Sequence, residues 1–201
     1  MTEHYFSRRP ASARRPTEIG AELRGHSFRF RSDAGVFSAE RIDPGTRLLA
    51  EAMEIAAADR VLDLGCGYGV LGIVAAALAP AGMAVMLDRN MRAVALAHAN
   101  IALKALSNAY VVLSDGPDAV TCGAFDVAVT NPPVHAGNRV VFAFIEGAHR
   151  ALRPGGRFYL VGRRRRGVGT FARHMQEVFG GVEEVEKKSG YRVYRSRRAE
   201  V

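Results

Sequence analysis

The residues best equipped for chemistry are Asn131-Pro132-Pro133. Pro132 keeps Asn131 out of the helical region, and both prolines fix φ and lack an N–H donor. What is left is the amide oxygen of Asn131 and the carbonyl of Pro132, two acceptors able to grip both hydrogens of one –NH₂ group. An exocyclic amine on a conjugated ring is a poor nucleophile because its lone pair is delocalised. Gripped in this way, the nitrogen is drawn toward a tetrahedral shape and aimed at an electrophile, so proximity and alignment supply most of the acceleration without a strong base. The competing structural reading is a proline-stiffened loop. His135, close behind, is a candidate proton acceptor, although a lone histidine beside a pocket is more often structural.

A second set of residues could hold the electrophile. Val61 to Gly69 reads V-L-D-L-G-C-G-Y-G, an apolar strand ending at Asp63, then Gly65, Gly67 and Gly69 alternating with Cys66 and Tyr68 before a small-residue apolar run. Glycines permit positive φ and close approach of a ligand to the backbone, and a helix start offers N–H groups to a nucleotide or a carboxylate. Gly67, Gly69 and Gly72 also fit the dinucleotide pattern G-x-G-x-x-G. Asp63 two residues before the first glycine gives instead D-x-G-x-G-x-G, which resembles the loop of Rossmann-like S-adenosylmethionine-dependent methyltransferases. A nicotinamide oxidoreductase is the weaker alternative. Asp88, about twenty residues beyond the turn, is placed to accept from ribose hydroxyls, with Arg89 beside it as a further cofactor contact. Asp115 is placed to accept from an adenine amino group, flanked by Ser114 and Gly116, although S-D-G is also an ordinary turn.

The elements that must position these groups are legible in outline. Alternation in H-S-F-R-F-R-S from His26 gives a half-buried strand, and G-V-F-S at Gly35 to Ser38 a short extended piece. Asp43 as N-cap with Pro44 in the first turn opens a helix to about Ala57. Strands are expected at Val61 to Asp63, Met83 to Leu87, Ala109 to Leu113, Phe125 to Thr130 and Arg157 to Gly162, the last after a Pro154-Gly155-Gly156 turn. Helices are expected at Val70 to Ala79, Met91 to Leu106, Val140 to Leu152 and Thr170 to Phe179. Two closing strands, Val182 to Lys187 and Tyr191 to Ser196, meet at Lys188-Ser189-Gly190. The alternation predicts an α/β, Rossmann-like doubly wound sheet of seven mostly parallel strands with an antiparallel last strand, plus a short N-terminal β extension. Such sheets bind ligand beyond the carboxyl ends of their strands, where Asp63, Asp88, Asp115 and Asn131 all fall.

Composition bounds the rest. With 201 residues and 48% apolar content, the chain has room for one core, and a basic flexible arm over residues 1–24 precedes a catalytic domain over 25–201. A net charge of +8, carried mostly by arginine, suits a polyanionic partner or reflects coding bias. Arg8, Arg9, Arg14 and Arg15 in the arm, and Arg163, Arg164, Arg165 and Arg166 after the fifth strand of the alternating series, are candidate phosphate contacts. Cys66 and Cys122 show no metal or disulfide spacing, which points to a reducing, cytoplasmic compartment without structural metal. The longest apolar run is too short to span a bilayer. The oligomeric state stays open.

Taken together, D-L-G-C-G-Y-G at Asp63 to Gly69, N-P-P at Asn131 to Pro133, G-V-F-S with D-P-G-T at Gly35 to Thr46, and L-R-P-G-G-R at Leu152 to Arg157 resemble the small-domain methyltransferase family. Its best-known members are bacterial small-subunit ribosomal RNA guanine-N2 methyltransferases. The resemblance covers roughly His26 to Arg198. It implies S-adenosylmethionine as cofactor, with its methionine part on the Asp63 to Gly69 loop, its ribose on Asp88, its adenine at Ser114-Asp115, and the target amine on Asn131-Pro132. Phe37 and Thr46 match positions lining the cofactor or substrate pocket, and Pro133, Val134 and His135 continue the substrate side. The expected partner is RNA, in particular ribosomal RNA or a ribosomal subunit. A protein glutamine amide, another nucleic-acid amine, a small molecule, or non-catalytic RNA binding are the alternatives. Two departures matter. Val134 stands where the family carries an aromatic residue that stacks on the flipped base, so either apolar contact replaces part of the stacking or Phe37, Phe142 or Phe171 supplies the ring. The longer ribosomal enzymes also carry an additional N-terminal domain.

Overall fold

The computed structural model describes residues 12–200. The strands β1 (Thr17–Leu23) and β2 (His26–Ser32) form an antiparallel hairpin. Seven further strands make one sheet: β3 (Arg60–Leu64), β4 (Met83–Asp88), β5 (Ala109–Leu113), β6 (Phe125–Thr130), β7 (Leu152–Arg163), β8 (Glu183–Lys188) and β9 (Tyr191–Arg197). Their order is β5-β4-β3-β6-β7-β9-β8. Strands β3 to β7 pair in parallel, and β9 is antiparallel to both of its neighbours. The helices are α1 (Pro44–Ala52), α2 (Val70–Leu78), α3 (Met91–Lys104), α4 (Asn138–Ala151) and α5 (Val168–Phe179).

Burial explains the layering. Both faces of β3 and β6 are covered, so V-L-D-L and V-A-V-T are buried throughout and show no polar–apolar alternation. One core joins α1, α2, α3 and the hairpin, including Phe28, Phe30, Leu49 and Ile73. The other joins α4 and α5 through Val141, Ile145, Phe171 and Met175. Each large side chain so buried contributes about 1.5–3 kcal/mol, enough to hold the sheet between two helical layers. The chain winds from β3 outward to β4 and β5, then crosses to β6 on the other side. That reversal opens a crevice at the C-terminal ends of β3 and β6, where Asp63 and Asn131 sit. Among the described residues no helix is long and apolar enough to cross a membrane.

Several boundaries differ from the sequence reading. The stretch Thr17–Leu23, expected within the arm, is a strand that buries Ile19 and Leu23 against the core, so the expected boundary at residue 24 falls in the hairpin turn. Ordered chain reaches back at least to Ser12, whose carbonyl accepts from Arg92 at 3.0 Å. Arg8 and Arg9 lie outside the described residues. Helix α1 stops at Ala52 because Met53 turns extended. Pro154 to Gly156 lies within β7 as an irregularity, with a register shift against β6 and Gly155 at φ 75°, rather than as a turn before it. The last strand, β9, inserts between β7 and β8, which leaves β8 as the edge.

Candidate active site

Asn131 leaves the end of β6 at a point braced against β3, where the Thr130 hydroxyl donates to the Leu64 carbonyl at 2.7 Å. Its amide nitrogen donates to Asp43 Oδ2 at 3.1 Å and to Thr46 Oγ1 at 2.8 Å. Asp43 is the N-cap of α1, and the same Oδ2 accepts from the Gly45 and Thr46 amides at 2.7 and 3.1 Å. Its other oxygen accepts from the Tyr191 hydroxyl at 2.9 Å. A carboxylate only accepts, so Asp43 fixes the amide nitrogen of Asn131 on its own side and leaves the amide oxygen on the other. The Pro132 carbonyl accepts from Val134 N–H at 2.9 Å across an inverse γ-turn centred on Pro133 (φ −77°, ψ 76°). One of its two lone pairs therefore remains for a further donor.

On the other side of Asn131 a cleft of about 290 Å³ runs past Gly65, Gly67, Asp88, Ser114 and Asp115 to Pro117 and α4. Gly67 has φ 58° and open space where a Cβ would stand, so a ligand can lie directly on this turn. Gly72 plays a different part: a Cβ there would meet Met86 Cγ at 2.2 Å, which makes it a packing residue between α2 and β4. The turn amides expected to face a ligand are largely engaged internally. Gly65 and Cys66 donate to the Leu87 carbonyl, and Gly67 donates to Asp88 Oδ2 at 2.8 Å. Asp88 Oδ1 accepts from Asn90 N–H at 2.8 Å, so this carboxylate braces the glycine turn as well as lining the cleft.

Asp63 is buried. One oxygen accepts from Gly72 N–H at 2.9 Å, and the other has no hydrogen-bond partner. Burial pushes its carboxyl up to about 7, opposed by the Gly72 bond and assisted by the charge of Asp88. Burial also raises the Asp88 carboxyl and the Cys66 thiol. An orphaned acceptor beneath the glycine turn, a cleft floored by Gly67 and a carboxylate at the tip of β4 fit a nucleoside with a cationic amino-acid tail. Asp115 is largely exposed and pairs with Arg89 at 3.4 Å, while the Ser114 hydroxyl closes its own turn onto the Gly116 carbonyl at 2.7 Å.

Thr46, Asp63, Cys66 and Gly67 also line a small recess that Asn131 and Phe37 share. A third pocket, of about 230 Å³, holds Phe37, Asn131, Pro132, Val134, His135 and Arg163 together with Asp43 and Tyr191. Pro133 lines the large cleft instead. Gly69 caps α2 and lines none of these pockets. Of the three rings considered as substitutes at Val134, Phe171 is buried in the core and Phe142 stacks on His174 at 4.1 Å; Phe37 lines all three recesses. Arg163, Arg164 and Arg165 are all exposed, but only Arg163 lines the third pocket, while Arg164 and Arg165, in the following 3₁₀ turn, line none of the three. Sequence reasoning assigned Asp43 only to capping, and it missed Tyr191 and Phe144, whose ring would meet a Cβ on Gly65 at 3.1 Å. D-P-G-T signalled the cap, but nothing local showed that the same carboxylate faces Asn131.

A cleft with room and polar groups for a nucleoside on one side of Asn131 and a second pocket on the other suit methyl transfer from a sulfonium to an acceptor. Fold and site define an S-adenosylmethionine-dependent methyltransferase. The chain belongs to the methyltransferase small domain family, whose profile matches residues 27–195. It is 33% identical to the uncharacterised protein YbxB of Bacillus subtilis, covering 98% of this chain and all of that one. It is 35% identical over 168 residues to ribosomal RNA large subunit methyltransferase G of Streptomyces avermitilis, covering 81% of this chain and 43% of that protein. The T. thermophilus 16S rRNA N2 G1207 methyltransferase RsmC, solved with AdoMet and guanosine, superposes with a TM-score of 0.81 at 32% identity, covering 93% of this chain and 51% of that one. The chain thus spans about half the length of these two ribosomal RNA methyltransferases.

Proposed function

We propose that the chain transfers a methyl group from S-adenosylmethionine to an exocyclic amine of structured RNA, namely guanine N2 of ribosomal RNA, in the cytoplasm. The observation that carries this reading is the Asn131 amide, turned oxygen-outward by Asp43 and Thr46 at the border between the cofactor cleft and the third pocket. The relatives named for ribosomal RNA methylation and the net charge of +8 support RNA over a protein or small-molecule acceptor.

In the proposed mechanism Asp88 holds the ribose, Ser114 and Asp115 flank the adenine, and the recess at Asp63, Cys66 and Gly67 takes the amino-acid end. Bound S-adenosylmethionine supplies an electrophilic methyl group on a sulfonium. Asn131 Oδ1 and the Pro132 carbonyl take the two amine hydrogens and point the nitrogen lone pair along the line of displacement. As the N–C bond forms and the S–C bond breaks, the nitrogen becomes cationic, and the same two oxygens stabilise that charge. The extra proton then passes to water through the open pocket. Arg14 and Arg15 ahead of β1 and Arg164 and Arg165 of the 3₁₀ turn hold phosphates around the target.

The test supplies radiolabelled S-adenosylmethionine with deproteinised RNA, isolated ribosomal subunits and protein extract in separate reactions. Label is expected in N2-methylguanosine after digestion of the RNA. Asn131→Ala should lower kcat about a hundredfold with nearly normal cofactor affinity. Label confined to protein or small molecules overturns the reading.

A further inference from the structure

The pocket beyond Asn131 bears on which base is accepted. Phe37, Val134 and Tyr191 give it apolar walls, and Arg163 lines it together with Asn131 and Pro132. Arg163 is held in place, with its guanidinium carbon 4.7 Å from the centre of the Tyr191 ring. The Tyr191 hydroxyl donates to one oxygen of Asp43, and the other oxygen accepts from the Asn131 amide. The group that grips the amine and the group that faces it across the pocket are therefore tied through opposite oxygens of a single carboxylate.

Arginine donates and cannot accept. A ring whose amine sits at Asn131 thus meets a second polar group that pairs only with acceptors. Guanine with N2 at Asn131 carries O6 and N7 along the edge leading away from the amine, both acceptors, and the guanidinium fork matches that pair. Adenine superposed on this guanine has no amine at C2, so it leaves Asn131 unfilled and turns its N6 hydrogens to the guanidinium, donors facing donors. We infer that Arg163 is a specificity-determining residue that reads the O6/N7 edge of the flipped guanine, and that it differs in this from Arg164 and Arg165. The inference rests on the proposed nucleobase-amine reading and adds the group that selects the base.

The test replaces the target guanine, in the RNA identified above, with 2-aminopurine, which keeps the N2 amine and N7 but lacks O6 and the N1 hydrogen. The wild-type kcat/KM is expected to fall about 10- to 100-fold on the replaced RNA, the scale on which one bidentate pairing discriminates between bases. In Arg163→Met the two RNAs should be methylated at similar, slow rates, within about threefold of each other, with unchanged cofactor affinity. Arg163→Lys keeps the charge but not the fork and should recover little of the discrimination. The inference is overturned if the wild type handles both RNAs equally. It is also overturned if Arg163→Met slows both by one common factor, the result expected of a phosphate clamp or a prop for Tyr191. In either case N2 methylation by the wild type leaves the proposed function standing. A wild type that labels no guanine removes both.

Discussion

Replacing Asp43 by alanine separates the orientation of the Asn131 amide from its presence. In the wild type that amide donates to Asp43 and Thr46. The Thr46 hydroxyl both donates and accepts, so without Asp43 it tolerates the flipped amide as readily as the native one. The preference for the native orientation is then the value of a hydrogen bond to a charged acceptor, about 1.5–3 kcal/mol. With that preference gone the two orientations are equally populated, which by itself only halves kcat; the unanchored oxygen also loses its position, and a displacement of ~1 Å costs up to about a hundredfold, so kcat should fall about 10- to 100-fold. Loss of the α1 cap costs a further ~1 kcal/mol of stability, a melting-point drop of about 2–4 °C in a domain this size. Asp43→Asn keeps an oxygen for the cap and for Asn131, so it should restore stability and most of the rate. The assay is single-turnover methyl transfer at saturating S-adenosylmethionine, with cofactor affinity measured by calorimetry. A kcat for Asp43→Ala within threefold of wild type, or a loss that appears only in cofactor affinity, would refute the reasoning.

Other predictions follow from the same geometry. The folded pKa of Asp63, about 7, lies above its ordinary value of 3.8, so the folded state binds the extra proton between those limits. The Asp63 contribution to stability is full below pH 4 and falls by about 4 kcal/mol as pH rises through 7. Asp63→Asn keeps an acceptor for Gly72 and should be about 2–4 kcal/mol more stable than wild type at pH 8, with no gain at pH 4. Equal differences at both pH values in thermal melts of the cofactor-free protein count against the buried carboxyl. Asp88→Asn retains only one acceptor for the Gly67 and Asn90 amides and should weaken S-adenosylmethionine binding by about 1–3 kcal/mol; unchanged calorimetric affinity removes Asp88 from the site. Replacing Arg14 and Arg15, or Arg164 and Arg165, by serine should flatten the log–log salt dependence of RNA binding by about 0.7–0.9 for every phosphate no longer neutralised, without changing cofactor affinity. Slopes identical to wild type for both pairs would exclude them as phosphate-binding groups.

The parallel core was readable because its signal is local. Strands β3 and β6 are buried on both faces and so lack alternation, and β4 and β6 end at the polar residues Asp88 and Thr130 where the chain meets the crevice. Phe125–Thr130 matches its expected limits residue for residue, and so does the half-exposed edge strand Ala109–Leu113, which turn residues bound on its C-terminal side. The misses share a cause, which is contact with distant chain. The β1 sequence T-E-I-G-A-E-L, interrupted by Gly20, has weak alternation, and it is a strand because β2 supplies a ladder and the core takes Ile19 and Leu23. The antiparallel closing pair is present as expected, and its order, on which the sequence makes no choice, is likewise set by distant chain: Tyr191–Arg197 enters the sheet beside β7 rather than outside β8.

The same division runs through the site. Asp63, Asp88 and Asn131 stand at strand tips, and a tip is a sequence-local property. What gives them direction comes from elsewhere: Asp43 lies 88 residues from Asn131 and 148 from Tyr191 along the chain. Asp43 could be read from sequence as a helix cap because capping is settled within three residues. Its second role exists only because α1 packs against β7 and β9 and so brings its N-terminus to the end of β6. A carboxylate that caps a helix, turns an amide and anchors a tyrosine at once leaves little freedom at any of the three. That rigidity is what an alignment mechanism needs, since an acceptor oxygen displaced by an ångström forfeits much of the rate.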